Sequence, residues 1–201
     1  MKNVFIEALK ENQTFFELNL KDDTLQRLAA YYEIVQTHNA LLHLVPPCSP
    51  ETFATRHILE SLALLEHLPK GARLADVGTG AGLPAIPCLL AREDLSADLI
   101  ESNLEKADFL KRAVAELNLE RRTEIINRQF EEVPPPAASF VTSRALNKFT
   151  QKLPRLLNWS EKNSKLFYGG KSLREELEKH NVSFREKLLP LSEQRLLFIL
   201  K

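Results

Sequence analysis

The chain has 201 residues, of which 44% are hydrophobic and 27% are charged. This composition excludes wholesale disorder and is typical of one globular domain, or of one domain with an appendage. Its 27 basic residues equal its 27 acidic ones, which excludes the overall basic excess of many nucleic-acid-binding proteins but leaves room for a local basic patch.

The beginning of the chain contains Glu7 and Glu11 and has no apolar run long enough for a signal peptide. No segment approaches the roughly 20 apolar residues that a membrane-spanning helix needs. Cys48 and Cys88 are too few for a disulfide framework or for a zinc site made of cysteines alone. We therefore expect a cytoplasmic protein without a membrane partner.

Residues 1–68 show helical patterns only. Apolar residues at helical spacing predict one helix from Val4 towards Asn19 and another from about Asp23 to Leu42. Ser49 is suited to the N-cap of a third helix, with a proline at its first position. These residues are predicted to form a helical N-terminal extension.

Residues 69–201 alternate between short apolar strands and helices. Strands are predicted at 72–77, 96–101, 123–127, 138–142, 164–168, 182–188 and 194–200, and helices near 84–92, 103–118, 146–157 and 171–180. The alternation predicts right-handed crossovers and a parallel sheet with helices on both faces. The last two strands are too close in sequence for a parallel crossover, so they should pair antiparallel. The predicted core is α/β and Rossmann-like, and it should pack with the extension as one compact domain.

A glycine-rich turn follows the first predicted strand, with Gly78, Gly80 and Gly82 at alternate positions. Glycine lets the backbone turn tightly and lets a ligand lie against the main chain. The turn also fits a dinucleotide-binding fingerprint, and Glu101, about 20 residues on, could bond a ribose in either case. Asp76 separates the two, because a carboxylate would repel a pyrophosphate and attract a sulfonium amino acid. The turn therefore favours S-adenosylmethionine (SAM).

Several segments then occur in a characteristic order, namely Arg56–Leu62 (RHILESL), Asp76–Pro87 (DVGTGAGLPAIP) and Val141–Leu146 (VTSRAL). Together they resemble the bacterial 16S ribosomal RNA guanine-N7 methyltransferases, the GidB (RsmG) family. The resemblance implies a class I SAM-dependent methyltransferase fold with a helical N-terminal extension. It also implies SAM as cofactor and the 16S rRNA of the small ribosomal subunit, or its precursor, as substrate.

Residue by residue, the resemblance implies SAM contacts at Gly78 and Leu83, at Phe130 and Glu131 near the adenine, and at Arg144. With the residues of the glycine turn, the expected cofactor site is Asp76, Gly78, Gly80, Gly82, Leu83, Glu101, Phe130, Glu131 and Arg144. The chain departs from the family pattern at the polar positions His43, Val45, Glu105 and Ser172. These departures bear more on the RNA substrate than on the cofactor.

The segment 139–144 also bears on the reaction. It has no cysteine, which methylation at cytosine C5 would need as a nucleophile, and no Asn/Asp-Pro-Pro-aromatic motif for exocyclic amines. Guanine N7 already has a lone pair and needs no general base. Arg144 and Lys171 are expected to flank the site at the carboxyl edge of the sheet and to act on the RNA side as catalytic residues.

Two alternatives stay open from the sequence. One is an enzyme of the same fold with a small-molecule or protein substrate, which the neutral charge favours slightly. The other is an inactive SAM-binding module that associates with ribosomal particles.

His57 is interpreted as a packing residue, since it lies on the apolar side of its helix. We further expect no metal site, no DNA partner and a monomeric protein.

Overall fold

The computed structural model describes residues 1–134, 137–144 and 149–201. Ala145 and Leu146 of the VTSRAL segment, and the start of the helix predicted near 146–157, lie outside these residues. Every predicted site residue lies within them.

The N-terminal part is helical, as predicted. Helix α1 (Lys2–Asn12) runs into a 3-10 turn (Gln13–Phe16), and α2 spans Asp22–Leu42. A continuous helical segment follows, here called the 50–67 segment. It consists of α3 (Pro50–Thr52), a π-helix (Phe53–Leu59), α4 (Glu60–Leu62) and a 3-10 turn (Ala63–His67). The predicted cap is confirmed, because the Thr52 backbone N–H donates to Ser49 Oγ at 3.2 Å.

The remainder forms one seven-stranded sheet. Its strands are β1 (Arg73–Val77), β2 (Ser96–Ile100), β3 (Thr123–Ile126), β4 (Phe140–Ser143), β5 (Ser164–Gly169), β6 (Arg185–Leu188) and β7 (Leu196–Leu200). The strand order is β3-β2-β1-β4-β5-β7-β6. Strands β1 to β5 pair in parallel, whereas β7 is antiparallel to both β5 and β6. The predicted mostly parallel sheet with a final antiparallel hairpin is confirmed.

Helices connect the parallel strands. They are α5 (Ala85–Ala91), α6 (Leu104–Glu116), α7 (Phe149–Trp159) and α8 (Lys171–Lys179). Strand β6 begins three residues later than expected. The reason is that Asn181 adopts a left-handed conformation and the Val182 backbone N–H still bonds the Leu177 carbonyl, so the chain closes α8 before it extends.

Two apolar clusters cover the two faces of the sheet. One joins α1, α2 and the 50–67 segment to α5, α6 and strand residues such as Leu74 and Leu166. The other joins α7 and α8 to strand residues of opposite orientation, such as Ala75 and Phe167. Phe5 and Tyr32 stack at 4.5 Å between centroids within the first cluster. The helical extension therefore belongs to the main core. In the described part of the chain, no helix is both long and apolar enough to cross a membrane.

Candidate functional site

A cavity of about 470 Å³ opens at the carboxyl ends of β1, β2 and β4. This is where open α/β sheets bind their ligands. Its wall is formed by the loop after α2, the 50–67 segment, the glycine turn, the end of β2, the start of α6, the end of β4 and α7. The lining residues are Leu44, Val45, Pro46, His57, Gly78, Thr79, Gly80, Ala81, Leu83, Glu101, Ser102, Lys106, Arg144 and Lys152.

The three glycines of the turn have different structural roles. All have positive φ angles, 70° at Gly78, 58° at Gly80 and 95° at Gly82, which favour glycine. Gly78 and Gly80 line the cavity. A Cβ atom on Gly82 would lie 2.3 Å from Ile86 Cδ1, so this glycine lets α5 pack closely against the turn. Gly82, a predicted cofactor residue, therefore does not line the cavity and instead allows the packing that holds the turn in place.

Asp76 lies beneath the turn and is fully buried. Its Oδ2 accepts hydrogen bonds from Thr79 Oγ1 at 2.7 Å and from the Ala85 backbone N–H at 3.2 Å. Its Oδ1 has no partner among the described residues. Burial raises the pKa of Asp76 to about 7, and the two hydrogen bonds offset only part of this effect. The carboxylate organises the turn, and its unpaired oxygen is buried and is not part of the cavity wall.

Glu101 closes the other side of the cavity. Its Oε2 accepts from the Gly80 backbone N–H at 3.0 Å and its Oε1 from the Asn103 backbone N–H at 2.8 Å. Each carboxylate oxygen retains a further lone pair, so Glu101 can still accept from two adjacent hydroxyl groups. The open backbone at Gly78 and Gly80 and the Glu101 acceptor together fit SAM.

Arg144 follows β4 and lines the cavity, but its guanidinium points to the 50–67 segment. Nη1 donates to the His57 carbonyl at 3.3 Å and to Ser61 Oγ at 3.2 Å. Nη2 donates to the Arg56 carbonyl and to Glu60 Oε2, the latter at 3.2 Å. These four contacts use the terminal N–H groups, so the donors that Arg144 was expected to offer to the RNA are already occupied within the protein.

His57 lies in the wall of this cavity with 8% of its surface exposed. Burial, and then the charges of Arg144, Arg56 and Arg195, lower the pKa of His57 to about 3, so the imidazole is neutral. Its ring packs on Phe53 at 5.1 Å between centroids, which agrees with the packing interpretation. Its Nδ1 has no hydrogen-bond partner in the described residues.

Phe130 and Glu131, the two residues expected near an adenine, lie outside the lining of the cavity. Phe130 is buried and packs edge-on against Trp159, with 5.6 Å between ring centroids. Glu131 lies 3.6 Å from Lys152 Nζ, which does line the cavity. Neither predicted residue forms part of the cavity surface; Lys152 separates them from it.

Lys171 lies after β5, at the expected edge of the sheet, but it does not flank the glycine turn. It lines a separate cavity of about 480 Å³ with Gly170, Arg174, Leu188, Glu193, Gln194 and Leu196. Its side chain is 86% exposed and its Nζ lies 3.7 Å from Glu175 Oε1. The expected convergence of Arg144 and Lys171 on one cavity is therefore not observed; β4 lies between β1 and β5, so Lys171 follows a strand that is not adjacent to the glycine turn.

Several site residues were not found from the sequence. Thr79, Lys106 and Lys152 carry no motif signal beyond proximity to the glycine turn or to a strand end. Tyr31 is another, since its buried hydroxyl donates to the Ala81 carbonyl at 2.9 Å and ties α2 to the turn. In the described residues, no three His, Cys, Asp or Glu side chains converge as metal ligands.

Solved structures with a similar fold include methyltransferases. A SAM-dependent methyltransferase from Aquifex aeolicus matches with a TM-score of 0.58 at 14% identity, over 85% of this chain and 97% of that one. The B. subtilis tRNA methyltransferase TrmK matches with a TM-score of 0.55 at 18% identity, over 70% and 64% of the two chains. At these identities the likeness concerns the fold alone.

Sequence relatives are closer. The protein named ribosomal RNA small subunit methyltransferase G of Nitrosospira multiformis is 41% identical over 131 residues, 65% of this chain and 60% of that protein. The protein of the same name from Chromobacterium violaceum is 33% identical over 151 residues, 74% and 72% of the two chains. The alignments thus span between about three fifths and three quarters of these relatives' own length.

A family model also matches residues 24–192, which include α2, the 50–67 segment and the sheet as far as the β6–β7 connection. The family predicted from the sequence segments is confirmed. The chain belongs to the GidB family, rRNA small subunit methyltransferase G, and has the fold of a SAM-dependent methyltransferase.

Proposed function

We propose that this protein transfers a methyl group from SAM to N7 of a guanine in the 16S rRNA of the small ribosomal subunit. The observation that carries the choice of N7 is that the described part of the cavity wall holds no thiol and no side chain placed to remove a proton. Glu101 is held by two backbone N–H groups, His57 has a pKa lowered to about 3, and the described lining contains no cysteine. A reaction without proton removal fits such a wall.

The geometry supports the proposed cofactor contacts at the cavity wall. Gly78 and Gly80 offer open backbone to the amino-acid part, Leu83 offers apolar contact, and Glu101 accepts from the ribose hydroxyls. The buried Asp76 carboxylate favours a positive charge above the turn. Phe130 and Glu131 act through Lys152 on the adenine side.

When bound, SAM supplies a methyl group on a positively charged sulfur. The N7 lone pair forms the new N–C bond while the C–S bond breaks, and that electron pair stays on sulfur. No proton leaves N7, so holding both reactants in line is the main contribution of the protein. Lys106 and Lys152 line the cavity and Arg56 lies exposed close by, where they can contact RNA phosphates.

We also propose that the enzyme works as a monomer in the cytoplasm, on the small ribosomal subunit or its precursor and not on DNA. The family relationship supports the ribosomal substrate, and residues on the cavity rim supply the local positive charge that the neutral chain lacks overall. Lys171 is proposed to bind RNA outside the cavity.

Methyl transfer from tritiated SAM to purified 30S particles and to protein-free 16S rRNA tests this proposal. The expected product is N7-methylguanine at one position, mapped by mass spectrometry of nuclease fragments. A transcript made with 7-deazaguanosine should accept no label. Binding of SAM without any transfer would favour the inactive module, and label in a protein or a small molecule would favour the other alternative.

A further inference from the structure

A second cavity, of about 270 Å³, adjoins the proposed SAM cavity at the ends of β4 and β5. The two share Pro46, His57 and Arg144 in their walls. The remaining lining residues are Arg56, Glu60, Tyr168, Gly169, Leu189, Arg195 and Leu196. A planar group in the second cavity would therefore lie next to a cofactor bound in the first, at the edge that these three residues line.

A buried carboxylate fixes the charges of this second cavity. The Glu60 side chain is only 2% exposed, and its Oε2 lies 3.2 Å from Arg144 Nη2. Its Oε1 accepts from Arg195 Nε at 2.6 Å. Burial raises the pKa of Glu60, and the two arginines offset only part of this effect. The arrangement holds two guanidinium groups, from distant parts of the chain, in fixed places on the cavity wall.

The two arginines differ in what they have left to donate. Arg144 donates hydrogen bonds from its terminal N–H groups to the 50–67 segment. Arg195 gives only Nε to Glu60, and its two terminal nitrogens have no acceptor within 1–134, 137–144 and 149–201. Its side chain is 37% exposed. Arg195 therefore presents free donors to the second cavity.

These donors select among nucleobases. Guanine carries the acceptor O6 beside N7, whereas adenine carries an amino donor at the same place. The apolar edges of Leu189 and Leu196 can cover a base plane, and the neutral His57 adds no charge to the shared wall.

On the basis of the proposed function, we propose that the second cavity receives the acceptor guanine and that Arg195 donates to its O6, placing N7 at the shared wall. Glu60 is then a positioning residue, since it aims Arg195 by way of Nε. This gives the protein a preference for guanine that is separate from its hold on the RNA backbone.

Single-turnover methylation with a substituted base tests Arg195. The mapped guanine is replaced by 2-aminopurine, which keeps N7 and lacks O6. For the unmodified protein we expect at least a tenfold lower rate on the substituted RNA. In Arg195→Lys the charge beside Glu60 is kept, but the one ammonium group is held by that carboxylate, so the two RNAs should react at similar rates. SAM affinity should stay unchanged.

Arg174→Ala is the matched control, because Arg174 is also half-buried and also pairs with a glutamate, Glu186, but lies on α8 away from this cavity. It should keep the full preference for guanine. A preference kept by Arg195→Lys would overturn the assignment of Arg195 while leaving rRNA methylation intact.

Nucleotide binding provides a readout that does not depend on catalysis. The protein saturated with S-adenosylhomocysteine is titrated with GMP and with AMP, followed by NMR. GMP should bind at least several-fold more tightly than AMP, and Arg195→Lys should remove the difference. Equal binding of the two nucleotides by the unmodified protein would overturn the second cavity as a guanine site, whatever the outcome of the methylation assay.

Discussion

Asp76 and Glu101 are two carboxylates at the same edge of the sheet with opposite surroundings. Asp76 is sealed beneath the glycine turn with one oxygen unpaired, and burial raises its pKa to about 7. Glu101 forms hydrogen bonds to two backbone N–H groups and faces the cavity. The ionisation of Asp76 can therefore depend on the charge of a bound ligand, whereas Glu101 can form hydrogen bonds with the ligand directly.

The raised pKa of Asp76 predicts a pH-dependent stability. The folded protein binds this proton more tightly than the unfolded chain does, so the stabilisation is present below pH 4 and is lost as pH rises to about 7. Relative to Asp76→Asn, the ligand-free protein should lose roughly 3 kcal/mol of unfolding free energy between pH 5 and pH 8. Urea unfolding of both proteins at the two pH values measures this.

Saturating SAM provides the companion measurement for Asp76. A cation above the turn favours the ionised carboxylate, so the difference between the two pH values should shrink in its presence. A difference that is the same with and without SAM would show that the ligand charge does not reach Asp76.

Removing Glu101 should weaken SAM binding. Glu101→Ala loses a charged acceptor worth roughly 1–3 kcal/mol, which corresponds to a decrease in affinity of about 5- to 150-fold. Calorimetric titration measures it, with Glu105→Ala on the exposed side of α6 as control. Unchanged affinity in Glu101→Ala, or tight binding of NAD by the unmodified protein, would contradict the ribose contact.

At the scale of elements, the 50–67 segment is tied to the end of β4. Its central part is a π-helix, a form often found at functional sites. The carbonyl groups of Arg56 and His57 in this π-helix accept hydrogen bonds from Arg144, and the Tyr168 hydroxyl on β5 donates to the Glu60 carbonyl at 2.8 Å. The lining that the two cavities share therefore comes from the loop after α2, the π-helix and the end of β4, and Tyr168 holds the neighbouring helical turn from β5.

This arrangement changes the expectation for Arg144→Ala. Arg144 was expected to act as a catalytic residue, but the structure places its side chain, which is 12% exposed, against the Glu60 side chain, which is 2% exposed. Removing Arg144 leaves Arg195 to hold the buried Glu60 carboxylate and takes the donor from three other acceptors, so it should cost about 3 kcal/mol of stability. Thermal unfolding measures this. Arg174→Ala, whose ion pair is more exposed, should cost less than about 1 kcal/mol.

An Arg144→Ala variant that is as stable as the unmodified protein but transfers methyl groups more slowly would contradict this structural role. It would point instead to a direct contact with the RNA.

At the scale of the whole molecule, RNA binding must come from a few cations, because the chain has no net charge. Lys171→Ala should reduce the slope of log affinity against log salt by about 0.7 to 0.9, as for one lost phosphate contact. Filter binding of 16S rRNA at several salt concentrations measures the slope. Lys179→Ala, at the other end of α8 and 70% exposed, is the matched control. Equal slopes for the two variants would exclude Lys171 from the RNA interface.

The fold was predictable from the sequence, and so was the part of the cavity wall that follows directly after β1 and β2. The hydrophobic periodicity of a strand or a helix depends only on residues close in sequence. Gly78 and Gly80 line the cavity because a strand, a turn and a helix follow one another directly in the chain. Glu101 follows the next strand, and parallel strands bring their carboxyl ends to one edge.

The sequence by itself thus determined the sheet, its antiparallel final hairpin, the glycine turn and the family, since each depends on neighbouring residues or on motifs in a fixed order. Only the tertiary structure decided where the long charged side chains point. Arg195 meets Glu60 across 135 positions of the chain, and Arg144 turns to the 50–67 segment rather than to solvent. Long side chains take whichever partner packing brings near, and packing joins elements that the sequence keeps far apart.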